Sequence, residues 1–145
     1  MKLPANGDSK WQAVGANVTV DLGPAGNWHT CNYGASVPEE VGTKCVWYEA
    51  TRLNGIPDTE NNLIDLCLKA DWTWLPIHGT EGVVVQNSSG FMFLPKTDQD
   101  KGVYWSWTEA SAGEAYALRF EYDYYTPYDF QVKVFNELAV RLLAN

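Results

Sequence analysis

Polar and apolar residues alternate through Asn17-Val18-Thr19-Val20-Asp21-Leu22, the period of two that marks a half-buried strand. Gly23-Pro24-Ala25-Gly26-Asn27 breaks the pattern with turn chemistry, and Trp28 to Asn32 reads as a second short strand. The convincing helix follows Ile56-Pro57. Asp58 or Thr59 can cap it, Asp58 and Glu60 suit its positive dipole end, and Leu63, Leu66 and Cys67 share one face. Lys69 falls near its C-terminus, and the length is about 10–12 residues. From Trp72 onward the chain reads as strands and loops. Val83-Val84-Val85 and Phe91-Met92-Phe93-Leu94 flank Gln86-Asn87-Ser88-Ser89-Gly90 as a β-hairpin. Further strands are predicted at Tyr104–Ser106, at Ala115–Tyr122 with Phe120 inward, at Gln131–Phe135 and at Ala139–Leu143. Residues 1–17 are a polar lead-in, and 18–145 form one domain. The fold class is α+β: short antiparallel strands, one or two helices and long loops.

The chain has 145 residues, 46% of them hydrophobic, enough for one core. A net charge of −8, spread evenly over both halves, argues against nucleic acid and anionic membrane as partners. No run of 18 apolar residues exists, so direct membrane insertion by a helix is not expected. The first ten residues lack the apolar stretch of a secretory signal, which leaves the compartment open. Three cysteines, Cys31, Cys45 and Cys67, allow either a Cys31–Cys45 bridge or, more simply, three buried thiols.

Signatures of catalysis are missing from the sequence: no phosphate loop before a helix, no His-Glu-x-x-His, no Cys-x-x-Cys. His29 with Cys31 has no acid or oxyanion device nearby in sequence, so no nucleophile is assigned. Glu39-Glu40, Asp98 with Asp100, and Glu121 with Asp123 could each offer oxygens to Ca²⁺ or form a glycosidase pair. A solvated acidic loop accounts for them as well. The expectation is therefore no enzyme, no catalytic residue, no metal and no cofactor.

Aromatic residues change the picture. Of 20, eleven fall between Tyr104 and Phe135, including six of the eight tyrosines. In Glu121-Tyr122-Asp123-Tyr124-Tyr125-Thr126-Pro127-Tyr128-Asp129-Phe130, neighbouring aromatics in an extended chain would point to both faces, broken by acids and a proline. Tyrosine interleaved with Asp and Ser is the composition of a recognition surface: large contact area, few torsions to freeze, a hydroxyl handle. Trp28, Trp72, Trp74, Trp105 and Phe120 are assigned to the core.

Val20-Asp21-Leu22-Gly23 followed by Trp28-His29-Thr30-Cys31-Asn32-Tyr33-Gly34-Ala35-Ser36-Val37-Pro38-Glu39-Glu40 resembles the opening of the Fibrobacter succinogenes major-paralogous-type domains of gut Bacteroidetes. The resemblance continues through Trp47-Tyr48-Glu49, a Pro57-led helix with a Cys ahead of Trp72-Thr73-Trp74, and Phe91-Met92-Phe93-Leu94-Pro95. It closes with Gly102-Val103-Tyr104-Trp105-Ser106 and Val140-Arg141. It covers roughly residues 18–143, with departures: Asn54-Gly55-Ile56-Pro57 before the helix, and Trp107 where a second Ser is usual. The resemblance implies a C-type lectin-like fold of the formylglycine-generating-enzyme type and a binding module at the cell surface or secreted. It also implies similarity to the variable proteins of diversity-generating retroelements, including phage tropism determinants, whose C-terminal region is diversified. The late cysteines of enzymatic members and the calcium-lectin motifs have no counterpart in this sequence.

The expectation is thus a non-enzymatic, receptor- or adhesin-type module displaying a Tyr-rich surface open to hypervariation. Its ligand is a protein or glycan on a cell surface, and its oligomeric state is open between monomer and trimer. The candidate ligand-binding residues are Trp107, Glu109, Ser111, Tyr116, Arg119, Glu121, Asp123, Tyr124, Tyr125, Tyr128, Asp129, Phe130 and Phe135. The alternatives are a structural or tip subunit of a pilus or phage virion and, below it, a carbohydrate-active enzyme.

Overall fold

Alternation at Val18–Leu22 produces β1 (Thr19–Asp21), antiparallel to β2 (Asn27–His29) with Val20 opposite Trp28. A 3₁₀ turn at Gly23–Ala25 joins them, held where Asp21 Oδ1 accepts from the Gly23 N–H at 2.8 Å. The structure, a computed structural model, describes residues 18–144, apart from the side chains of Phe130 and Gln131. The expected lead-in over 1–17 lies outside the described residues.

A one-turn helix that the sequence pattern does not mark, α1 (Trp47–Ala50), buries Trp47 and Ala50. The helix expected after Pro57 forms with Asp58 as its cap, accepting from the Glu60 N–H at 2.8 Å. It begins as a wide π-type turn at Thr59–Leu63 and continues as α2 (Ile64–Leu68). Leu63, Leu66 and Cys67 are buried as their spacing predicts, and Lys69 pairs with Asp65 at 3.6 Å.

Two three-stranded antiparallel sheets follow. β3 (Asp71–Trp74), β4 (Gly82–Asn87) and β5 (Gly90–Pro95) form the first, and the expected hairpin turns tightly at Ser88-Ser89. β6 (Gly102–Ser111), β7 (Glu114–Glu121) and β8 (Tyr124–Lys133) form the second. The architecture is α+β and rich in antiparallel sheet. The strand expected at 131–135 instead begins at Tyr124, so most of the Tyr-Asp run is strand. Ala139–Leu143 is no strand: it makes single bridges, Ala139 to Tyr104 and Leu143 to Trp28, because each residue bonds a different neighbour.

Both sheets are covered on both faces along much of their length, which accounts for the unbroken apolar runs. Val83, Val85, Met92 and Leu94 face a core shared with Trp28, Leu63, Leu66, Tyr104, Leu118 and Phe120. Val84 and Phe93 face the opposite side with Ile77. Likewise Tyr104 enters the first core, while its neighbour Trp105 enters another with Trp47, Ala115, Val134 and Val140. Gly102 lies opposite Phe120, and a Cβ there would collide with the Phe120 ring.

Arg141 is buried where these layers meet. Its Nε donates to Asn32 Oδ1 at 2.9 Å, and its Nη atoms donate to the His29 and Phe93 carbonyls at 3.2 and 2.8 Å. Asn32 Nδ2 donates to Tyr104 Oη at 3.0 Å, and that hydroxyl donates to the Pro95 carbonyl at 2.7 Å. Burial pulls the guanidinium pKa down to about 10, so it stays charged at neutral pH. All three cysteines are buried thiols outside any disulfide, the simpler of the two expectations.

Candidate binding surface

β7 is the middle strand of the C-terminal sheet, and its eight residues place its ends about 24 Å apart. The sequence-predicted residues distribute along that length and do not converge on one cavity.

At one end the β7–β8 turn carries Tyr122 and Asp123, both exposed, Tyr122 to 75%. Tyr124, 52% exposed, lies opposite Glu121 in the ladder. Tyr125 stacks on Trp72 with centroids 4.7 Å apart and planes 5° from parallel, and Tyr122 lies 6.5 Å from Trp74. Trp72 and Trp74 pack against the first core, 5.9 and 6.4 Å from the Phe120 ring, but are only half-buried and also flank this aromatic patch. The reason lies in β3, whose residues alternate between exposed and half-buried, so neither indole is sealed on both sides. Trp28, Trp105 and Phe120 are fully buried as expected.

Along the middle, Arg119 is clamped by Glu121 at 2.8 Å and approaches Asp129 at 4.0 Å. Tyr116 and Tyr128 meet edge to face at 5.8 Å. The backbone here is irregular, with register shifts on both sides of Ala117, so β8 bends as it crosses. At the far end Ser111 Oγ donates to Glu114 at 2.7 Å and Lys133 pairs with the same carboxylate at 3.0 Å. Those two contacts, Ser111 first, hold Glu114 below the usual carboxylate range. Phe135 is 72% exposed beyond β8. Phe130 belongs to β8, but its side chain lies outside the described residues.

Trp107 and Glu109 stand apart. They line a cleft of about 440 Å³ with Trp47, Thr51, Asp58, Glu60 and Thr108. The Trp107 N–H donates to the Pro57 carbonyl at 2.7 Å, tying β6 to the helix entrance. Thr108 Oγ1 donates to Asp58 Oδ1 at 3.2 Å and accepts from the Thr59 N–H at 3.1 Å. Trp47 Nε1 donates to the Ser106 carbonyl at 2.9 Å, which fixes its ring beneath the cleft. Sequence reasoning found Asp58 and Glu60 only as helix-capping residues and Trp47 only as part of a motif. Their proximity to Trp107 arises from a contact of 50 residues' separation, which no local pattern signals.

Of the other carboxylates considered for metal or acid–base chemistry, three are engaged elsewhere. Glu39 pairs with His78 at 3.0 Å, Glu40 accepts from the Ser36 N–H at 3.1 Å, and Glu121 is bound to Arg119. Among the described residues no group of three His, Cys, Asp or Glu could hold a metal ion. His29 and Cys31 line a second cleft of about 230 Å³, where burial raises the Cys31 thiol pKa and keeps it protonated at neutral pH. No helix among the described residues is long and apolar enough to cross a membrane. Compared with protein-family models, curated proteins and solved structures, the chain matches none.

Proposed function

We propose that this chain is a non-enzymatic binding module that holds a protein or glycan ligand of a cell surface on its C-terminal sheet. The observation that carries this reading is the exposure of Trp107, Tyr122, Tyr124, Tyr125, Tyr128 and Phe135 around a single three-stranded sheet. Large aromatics left in water on a rigid scaffold are the anchors that macromolecular interfaces use. Arg119, Glu121 and Asp129 between them supply a polar register for the partner. With aromatic ends about 24 Å apart, the surface suits a macromolecule better than a small metabolite.

The finer assignments belong to the same proposal. A C-type lectin-like arrangement is supported by small antiparallel sheets, short helices and a C-terminal segment that returns to β2. Display at a cell surface, or on a phage virion, with natural diversification of the C-terminal region rests on the motif resemblance. The test is binding of the purified chain to intact cells and to a glycan array, beside a Tyr122→Ser, Tyr124→Ser variant. Both tyrosines are exposed, so thermal stability should hold while affinity for any captured ligand falls about tenfold or more. Equal capture by the variant would show that the ligand sits elsewhere.

A further inference from the structure

The cleft under Trp107 is built for a cation carried on an apolar stem. Trp107 is 56% exposed, and Trp47 beneath it is locked by its bond to Ser106. Asp58, Glu60 and Glu109 bring three carboxylates to the same rim. Asp58 is already satisfied: Oδ1 accepts from the Glu60 N–H and from Thr108, and Oδ2 accepts from Asn61 Nδ2 at 3.2 Å. Among the described residues Glu60 and Glu109 have no ion pair, although most other rim acids of the C-terminal sheet do, as Glu114 has with Lys133 and Glu121 with Arg119. The cleft therefore holds negative charge that no described cation pairs with, on a protein of net charge −8.

A metal ion is a poor occupant, because no three of these acids stand close enough to ligate one. A guanidinium or ammonium group on a methylene stem satisfies both halves of the site. The stem lies along an indole, the charge faces its ring at cation–π distance, and the carboxylates accept from its N–H groups. The volume of about 440 Å³ takes one such side chain and leaves room for flanking backbone. We infer that this cleft receives an arginine or lysine side chain of a partner protein. The inference rests on the binding-module reading and names one chemistry for it, choosing a basic protein segment over a glycan at this point.

The test is titration of the ¹⁵N-labelled chain with acetyl-Gly-Arg-Gly-amide, its lysine analogue and its uncharged citrulline analogue, followed by NMR. With the arginine or lysine peptide, the Trp107 indole N–H and the Glu60 and Glu109 amides should shift below about 10 mM peptide. The citrulline peptide should leave them in place, and added salt should weaken the response. Glu60→Gln with Glu109→Gln should lower affinity about three- to tenfold without disturbing the rest of the spectrum, since both side chains are exposed. Trp107→Ala should abolish the shift at the Glu60 and Glu109 amides. Silence at these resonances with both cationic peptides, or equal response to citrulline, overturns the inference. Loss of cell or glycan capture in the tyrosine variant, alongside that silence, would leave the broader binding reading standing without this cleft.

Discussion

Arg141 shows how much one residue can be asked to do. Its guanidinium reaches three oxygens on two segments, the Asn32 side chain and the carbonyls of His29 and Phe93. Among the described residues no carboxylate is bonded to it, so planar multidentate hydrogen bonding replaces charge pairing as the compensation for burial. Arg141→Lys keeps the charge but cannot reach three diverging acceptors, and should lose about 3 kcal/mol by urea denaturation. A loss under about 0.5 kcal/mol would mean the fork geometry is irrelevant to stability. Exposed ion pairs work differently. Lys96 first, then Trp74, hold the Glu81 carboxyl below its usual range, yet the pair is solvated and adds little.

Among the elements, the helix entrance is the best explained from local chemistry. Asp58 caps the N-terminus and also holds Thr108, so it joins helix to sheet. Asp58→Ala should cost about 1–2 kcal/mol and shift the Trp107 indole resonance, because β6 is tied to this loop. Asp58→Asn, which can still accept from Glu60, should recover most of the stability; failure to do so would assign the loss to charge alone. This capping and the apolar face at Leu63, Leu66 and Cys67 were legible in the sequence, as was the hairpin of β4 and β5, since both are decided within a few residues. Helix α1 was not, because one turn offers no periodicity. Strand β8 was only half legible: Tyr124–Asp129 reads as loop composition, but pairing with β7 makes it strand. The same division holds for the binding surface. Exposure of Tyr122 and Tyr124 follows from the acids around them, whereas the company of Trp72 and Trp74 depends on how two sheets pack.

For the whole molecule, the groups left protonated by burial set its tolerance of alkali. Burial raises the thiols of Cys31 and Cys45, pushes Cys67 up to about 12, and raises Tyr104 as well. Above about pH 9 the unfolded chain sheds thiol protons that the native state retains, so stability falls with rising pH. Arg141 has the opposite sign, since its lowered value makes the native state release that proton first, but this enters only from about pH 10. The urea midpoint should therefore drop between pH 8 and 10, with a shallower slope in Cys67→Ala. A midpoint that rises over this interval would contradict the burial of these thiols.

The segment from Leu138 to Ala144 bonds in turn to Cys45, Trp105, Tyr33, His29, Gly55 and Asn27. Each partner except Trp105 was synthesised long before it. On the ribosome, β2 and the loop after it must therefore wait for the final stretch of this domain before their backbone groups are satisfied. Until then the nascent chain presents indoles and phenols that the finished protein hides or holds in place. Folding of this domain is an event that follows its synthesis, and the exposed interval is one in which chaperones have most to do.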